Sequence, residues 1–194
     1  MGKIKPIIIV LFLLILLLVG CAKEKPPFGA SIGNGVGYYT FNGPISSTYV
    51  HRSIEYFIKR NVKKVVIEVH SPGGSLFEVW RIISLLEEHG DKLTYETRTN
   101  GIAGSGGLMI FLAGDKRLTS KHATFMWHNT EGILSTDDRN LFDIACNEYI
   151  AKQTGMTAEE VMEKISTNGD TIKKDWFFGA KEAISLGVAH GYID

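Results

Sequence analysis

Cysteine is nearly absent from this chain. There are two among 194 residues, Cys21 and Cys146. Cys21 closes an N-terminal leader, which leaves Cys146 alone in the body of the chain. No disulfide framework can therefore hold the fold. Cys146 falls within a helical pattern, where a single thiol serves packing. An excess of either charge is also missing, because 21 Lys and Arg balance 21 Asp and Glu. That balance removes the electrostatic case for a nucleic-acid partner. No repeat of solenoid period and no low-complexity tract is visible. Neither a metal nor a cofactor is expected.

Long apolar runs are absent except for one at the start. Met1-Gly2-Lys3-Ile4-Lys5-Pro6 is short and basic, and Ile7 to Val19 is wholly apolar. A membrane span needs roughly 20 such residues, so the run suits the h-region of a signal. Leu18-Val19-Gly20-Cys21 then reads as the lipobox of a bacterial lipoprotein. In that reading the chain is cut before Cys21, which carries the lipid. An uncleaved N-terminal anchor is the other reading. Both put the domain in the cell envelope, on the extracytoplasmic side and tethered to a membrane. One acyl chain binds only marginally, so stable anchoring implies more than one. The division expected is a signal at 1–20, a linker rich in charge, proline and glycine at 21–34, and a domain at 35–194.

Within the domain, strand-like and helical patterns alternate. Val36 to Ile45 and Lys64 to Val69 read as strands, the second buried on both faces. Ser46 to Lys59 and Leu76 to His89 carry apolar residues at helical spacing. Leu93 to Arg98, Arg117 to Thr119 and Ala123 to Trp127 read as strands. Asp137 to Lys152, Thr157 to Ile165 and Phe178 to Leu186 read as helices. Thr157 with Glu160 forms a capping box. The fold class is α/β with largely parallel strands.

One stretch organises the rest. Gly101-Ile102-Ala103-Gly104-Ser105-Gly106-Gly107 joins a strand to an apolar helical run, Leu108 to Ala113. A serine there suits a nucleophile, because a helix N-terminus stabilises developing negative charge. A tight turn capped by Ser105 fits the same letters. Three other segments bear on the choice. His128 follows a strand in Met126-Trp127-His128-Asn129. Asp175 lies in Lys174-Asp175-Trp176-Phe177-Phe178-Gly179-Ala180, with Asp170 close enough to serve instead. Ser71-Pro72-Gly73-Gly74 puts two glycines at a strand end, where backbone N–H groups could line an oxyanion hole.

These segments resemble the proteolytic subunit of the Clp protease (ClpP), from about Val36 to Asp194. Ser71–Gly74 resembles that family's SPGG element, and Gly101–Gly107 its GxAxSxG nucleophile segment. Met126–Asn129 resembles its MIHQ segment. Asp175, Phe177, Glu182, Ala183 and Gly187 resemble its closing segment, which ends on an aspartate that fits only loosely. The resemblance implies a ClpP/crotonase-type fold of repeated β-β-α units. It implies Ser105 as nucleophile, His128 as general base and Asp175 as orienting acid, with the amides of Gly74 and Gly106 as oxyanion donors. It implies a peptide or unfolded-protein substrate and a homo-oligomeric ring. Asn129 to Gln153 is shorter than in the family, so one ring is expected rather than two. The family's N-terminal axial loops are replaced by the signal and linker, and an exported domain has no ATP, so a Clp ATPase partner is not expected.

The chemistry of the residues agrees. A serine hydroxyl attacks well only when a base takes its proton, and an acid behind a histidine fixes its tautomer. Three other readings stand beside this one. A Ser–Lys peptidase similar to signal peptide peptidase A would use Lys152. A binding or assembly protein could keep the fold without activity. A crotonase-type acyl-CoA enzyme would have no need of Ser105.

Overall fold

The branched apolar residues of Lys64–His70 become a strand whose centre is buried on both faces, as their run predicts. The computed structural model describes residues 24–130, 136–167, 170–173 and 175–194. The leader and Cys21 lie outside the described residues. In chain order the first elements are β1 (Ala30–Gly33), β2 (Val36–Asn42), α1 (Val50–Lys59), β3 (Lys64–His70), α2 (Leu76–Glu88) and β4 (Thr94–Thr99). Next come β5 (Ile102–Gly104), α3 (Gly106–Leu112), β6 (Lys116–Thr119), β7 (Thr124–Trp127) and α4 (Thr136–Gln153). The chain closes with α5 (Ala158–Lys164), β8 (Ser166–Thr167), β9 (Asp170–Lys173), β10 (Trp176–Gly179), α6 (Ala180–Ser185) and β11 (Gly191–Tyr192).

A six-stranded sheet runs β1-β2-β3-β4-β6-β11. All neighbours in it are parallel except β1, which pairs antiparallel with β2. A second sheet runs β10-β7-β5, with β5 parallel and β10 antiparallel to β7. The class is therefore α/β and mostly parallel, as expected. Among the described residues, no helix is long and apolar enough to cross a membrane.

The core lies between the large sheet and its helices. Helix α1 turns Val50, Ile54 and Phe57 inward, and α2 turns Val79, Ile82, Ile83 and Leu86 inward. Helix α3 has no solvent face: Leu108, Met109, Ile110, Phe111 and Leu112 are each at most 1% exposed. Phe125 of β7 meets Phe111 of α3 at 5.3 Å and stacks on Phe178 of β10 at 5.3 Å. This aromatic row ties the second sheet to the buried helix. The buried guanidinium of Arg117 donates to the carbonyls of Gln153, Gly187 and Val188. It fastens the end of α4 and the C-terminal segment to β6.

Several expectations change. Ala30–Gly33, read as linker, forms β1, because Asn34-Gly35 makes a hairpin turn with Asn34 at φ 51° and Gly35 at φ 76°. Trp176–Gly179 is a strand and the last helix begins at Ala180 rather than Phe178. Side chains of that strand alternate inward and outward, which is a strand period, not a helical one. Strand β5 and the β8–β9 pair were not foreseen. On α4, Ile150 is buried at 1% exposure whereas Ile144 is 51% exposed. Cys146 is buried, as expected, and the Thr157–Glu160 capping box is present.

Candidate active site

The second sheet builds the site. Its strand order, β5-β7-β10, delivers Ser105, His128 and Asp175 from successive strands at one end. Gly104 of β5 pairs with Met126 of β7, and the next amide, Ser105 N–H, donates to the Met126 carbonyl at 2.8 Å. On the other side Trp127 of β7 pairs with Trp176 of β10. Continuing that antiparallel register by one residue sets His128 across from Asp175. The sequence placed these residues in separate motifs, and the sheet register brings them together.

Ser105 has φ 50° and ψ −121°, a conformation that strains a side-chain-bearing residue by about 1–3 kcal/mol. Burying the five large apolar side chains of α3 contributes roughly 2 kcal/mol each. Their sum is several times the strain, so the helix can hold the turn. The turn points a half-buried hydroxyl out of the strand–helix junction, the geometry of a nucleophile elbow. Gly73 makes room for it: its φ is +120°, and a Cβ there would sit 2.8 Å from Ser105 Cβ.

The two expected oxyanion donors are neighbours. A Cβ built on Gly106 would lie 3.6 Å from the Gly74 nitrogen. Neither amide donates to any acceptor in the described backbone network. The Gly73 carbonyl next to them is used, accepting from Ile45 N–H at 2.9 Å. Ser71 Oγ accepts the Gly73 amide at 3.1 Å and shapes the loop. Two N–H groups are thus left beside Ser105 for an oxygen carrying negative charge.

His128 Nε2 lies 2.9 Å from Ser105 Oγ. That is hydrogen-bond distance for a serine and its base. Asp175 Oδ1 lies 4.0 Å from His128 Nδ1. This is ion-pair reach but beyond a hydrogen bond. The His128 side chain is 19% exposed and that of Asp175 54%. Asp175 is thus a carboxylate within reach of the ring. Lys152 is exposed in the last turn of α4, and the partner of Ser105 Oγ is His128.

Helix α4 grips the chain on both sides of His128, a role not foreseen in the sequence. Trp127 Nε1 donates to Asn147 Oδ1 at 2.8 Å. The Thr130 amide and hydroxyl both donate to Asp143 Oδ1, at 2.6 and 2.7 Å. Asp143 is 8% exposed, and Asn147 is 2%. Residues four apart share a helix face, so one face holds both flanks of the histidine. Cys146 lies between them. Burial, with the Asp143 charge adding to it, pushes its thiol up to about 12. It stays protonated and unreactive.

A family model described as Clp protease matches residues 46–194. Among solved structures, a mutant of ClpP1 from Listeria monocytogenes is similar in fold, with a TM-score of 0.72 at 20% sequence identity. The match covers 81% of this chain and 91% of that one.

Proposed function

Since the chain belongs to the Clp protease family, whose fold is that of a serine peptidase, we propose that it is a membrane-tethered endopeptidase. It cleaves peptides or unfolded proteins without ATP, through Ser105, His128 and Asp175. The observation that carries this reading is the 2.9 Å contact of Ser105 Oγ with His128 Nε2 beside two undonated amides.

The geometry supports the following reaction. Ser105 Oγ attacks the scissile carbonyl carbon while its proton passes to His128 Nε2. The carbonyl oxygen becomes an oxyanion, held by the N–H groups of Gly74 and Gly106. His128 then gives the proton to the leaving amine and the C–N bond breaks. Water attacks the acyl-enzyme, His128 takes its proton, and Ser105 leaves protonated. Asp175 favours the tautomer with the proton on Nδ1 and stabilises the imidazolium.

The lipobox supports the remainder. Cys21 carries the lipid, residues 1–20 are the signal, and the domain faces the extracytoplasmic side of its membrane. No ATP is available there, and a Clp ATPase is not its partner. The domain works as a homo-oligomer, in one ring. Phe77 at 64%, Leu141 at 68% and Ile144 at 51% exposure support this, with Phe142 packed edge-on to Phe77 at 5.7 Å. Contiguous apolar surface of this kind marks an interface.

The decisive experiment treats the purified protein with a serine-directed fluorophosphonate and follows turnover of an unstructured peptide. Labelling maps to Ser105, and turnover is lost with it. Absence of both labelling and turnover would assign the chain to a non-catalytic assembly protein. A Cys21→Ala chain is expected to accumulate as unlipidated precursor. Sedimentation of the detergent-solubilised protein as a monomer would refute the ring.

A further inference from the structure

We propose that the outer face of α1, with the segment leading into β1, docks flat on the surface of an anionic membrane. The inference rests on reading Cys21 as the lipidated residue.

The position of the chain start is the first argument. Arg60 Nη2, at the C-terminal end of α1, donates to the Glu24 carbonyl at 3.2 Å. Only Ala22 and Lys23 separate Glu24 from Cys21. Fully extended, that connection reaches about 11 Å. The lipid therefore enters the bilayer close to Arg60, and the face around it lies within a headgroup layer of the membrane. A long tether would leave the domain free to turn. This one does not.

The surface there is suited to lipid. From Glu24 the chain runs along α1 to Phe28, whose ring packs against Tyr49 at 5.6 Å between centroids. Phe28 is nonetheless 79% exposed and Tyr49 41%. An exposed aromatic pair is placed well at the boundary between headgroups and acyl chains. Lys25, Arg52 and Lys59 line one groove with the pair, Arg60 sits over the Tyr56 ring, and all four are exposed. The acids on the same face are Glu24 and Glu55, and Glu55 lies 3.8 Å from His51. The net positive balance of this patch contrasts with the neutral chain. Each basic side chain near an anionic surface adds about fivefold to the docked state.

The test uses the full chain, processed in bacterial cells and reconstituted with its lipid. A polarity-sensitive dye is attached to His51→Cys on α1 or, as control, to Met162→Cys on α5, where Met162 is 49% exposed. Buried Cys146 does not compete for the dye. Vesicles contain headgroup-level spin-labelled lipid in phosphatidylcholine with or without phosphatidylglycerol. The expected result is quenching at position 51 but not 162, stronger with phosphatidylglycerol. Adding Arg52→Gln and Lys59→Gln lowers the docked-to-undocked ratio roughly 25-fold. Equal quenching at both positions, or none, in protein whose mass shows the lipid overturns the docking and leaves the tether standing. A mass without lipid removes tether and docking together. Dye burial at position 51 in detergent, rising with protein concentration, assigns the face to a second copy instead and also overturns the proposal.

Discussion

The two arms of the site differ in how they are held. The inner arm, Ser105 to His128, spans 2.9 Å between a strained turn backed by a wholly buried helix and a strand end clamped by α4. The outer arm, His128 to Asp175, spans 4.0 Å and ends on a carboxylate more than half exposed, just before an edge strand. In the proposed mechanism nucleophile and base must meet at bonding distance, and core packing holds Ser105 and His128 there. In the same proposal the acid acts through its charge, which tolerates distance. At 4 Å a unit ion pair is worth about 1 kcal/mol in water and about 4 kcal/mol near a protein surface. The site therefore combines a rigid half with an adjustable one.

The largest expected effect tests the rigid half. Ser105→Ala is expected to lower kcat by up to about 10⁶-fold if the three residues act as a unit, with urea unfolding little changed, since the strained turn persists. Retained turnover in pure Ser105→Ala protein would break the comparison at its root. Asp175→Asn tests the adjustable half. The exposed ion pair supplies about 1–3 kcal/mol, so kcat/KM is expected to fall about 10- to 100-fold. A loss near 10⁴-fold, as seen where such an acid is buried, would show that the outer arm is as tightly coupled as the inner one.

Asn147→Leu removes the acceptor of Trp127 Nε1 and leaves a buried donor unpaired. Its expected stability loss is about 1–3 kcal/mol in urea unfolding, with kcat reduced and KM little changed. Equal falls in stability and no change in kcat would make the α4 clamp merely structural. Lys152→Ala is the smallest change expected, within about 0.5 kcal/mol in stability and near-parental in turnover. A dead Lys152→Ala enzyme with an active His128→Ala enzyme would replace the triad by a Ser–Lys pair.

Much of this was legible beforehand. The alternation of strand and helix patterns announced a parallel α/β fold, and the glycine-rich junction announced Ser105. The motifs of His128 and Asp175 were visible as letters, but their meeting depends on the register of β10 against β7, a tertiary fact. Strand β10 was misread because Trp, Phe and Phe suit either period, and only four residues alternate. Asp143 and Asn147 were missed because polar residues on a helix default to solvent. The available signal was their spacing of one turn on the side that carries Cys146 and Ile150. Strand β1 hid in a proline- and glycine-rich segment, although Asn34-Gly35 is itself a hairpin signal.

That hairpin has a further consequence. Without β1, the seven residues of β2 would form the outer edge of the large sheet, with unpaired backbone groups facing water. Such an edge templates strand pairing between molecules. With β1 in place, the exposed edges are a four-residue strand at one side and the two-residue β11 at the other. Proteolytic trimming past Gly33 would therefore matter less for turnover than for solubility: the shortened protein would aggregate, and the intact N-terminal segment is its protection.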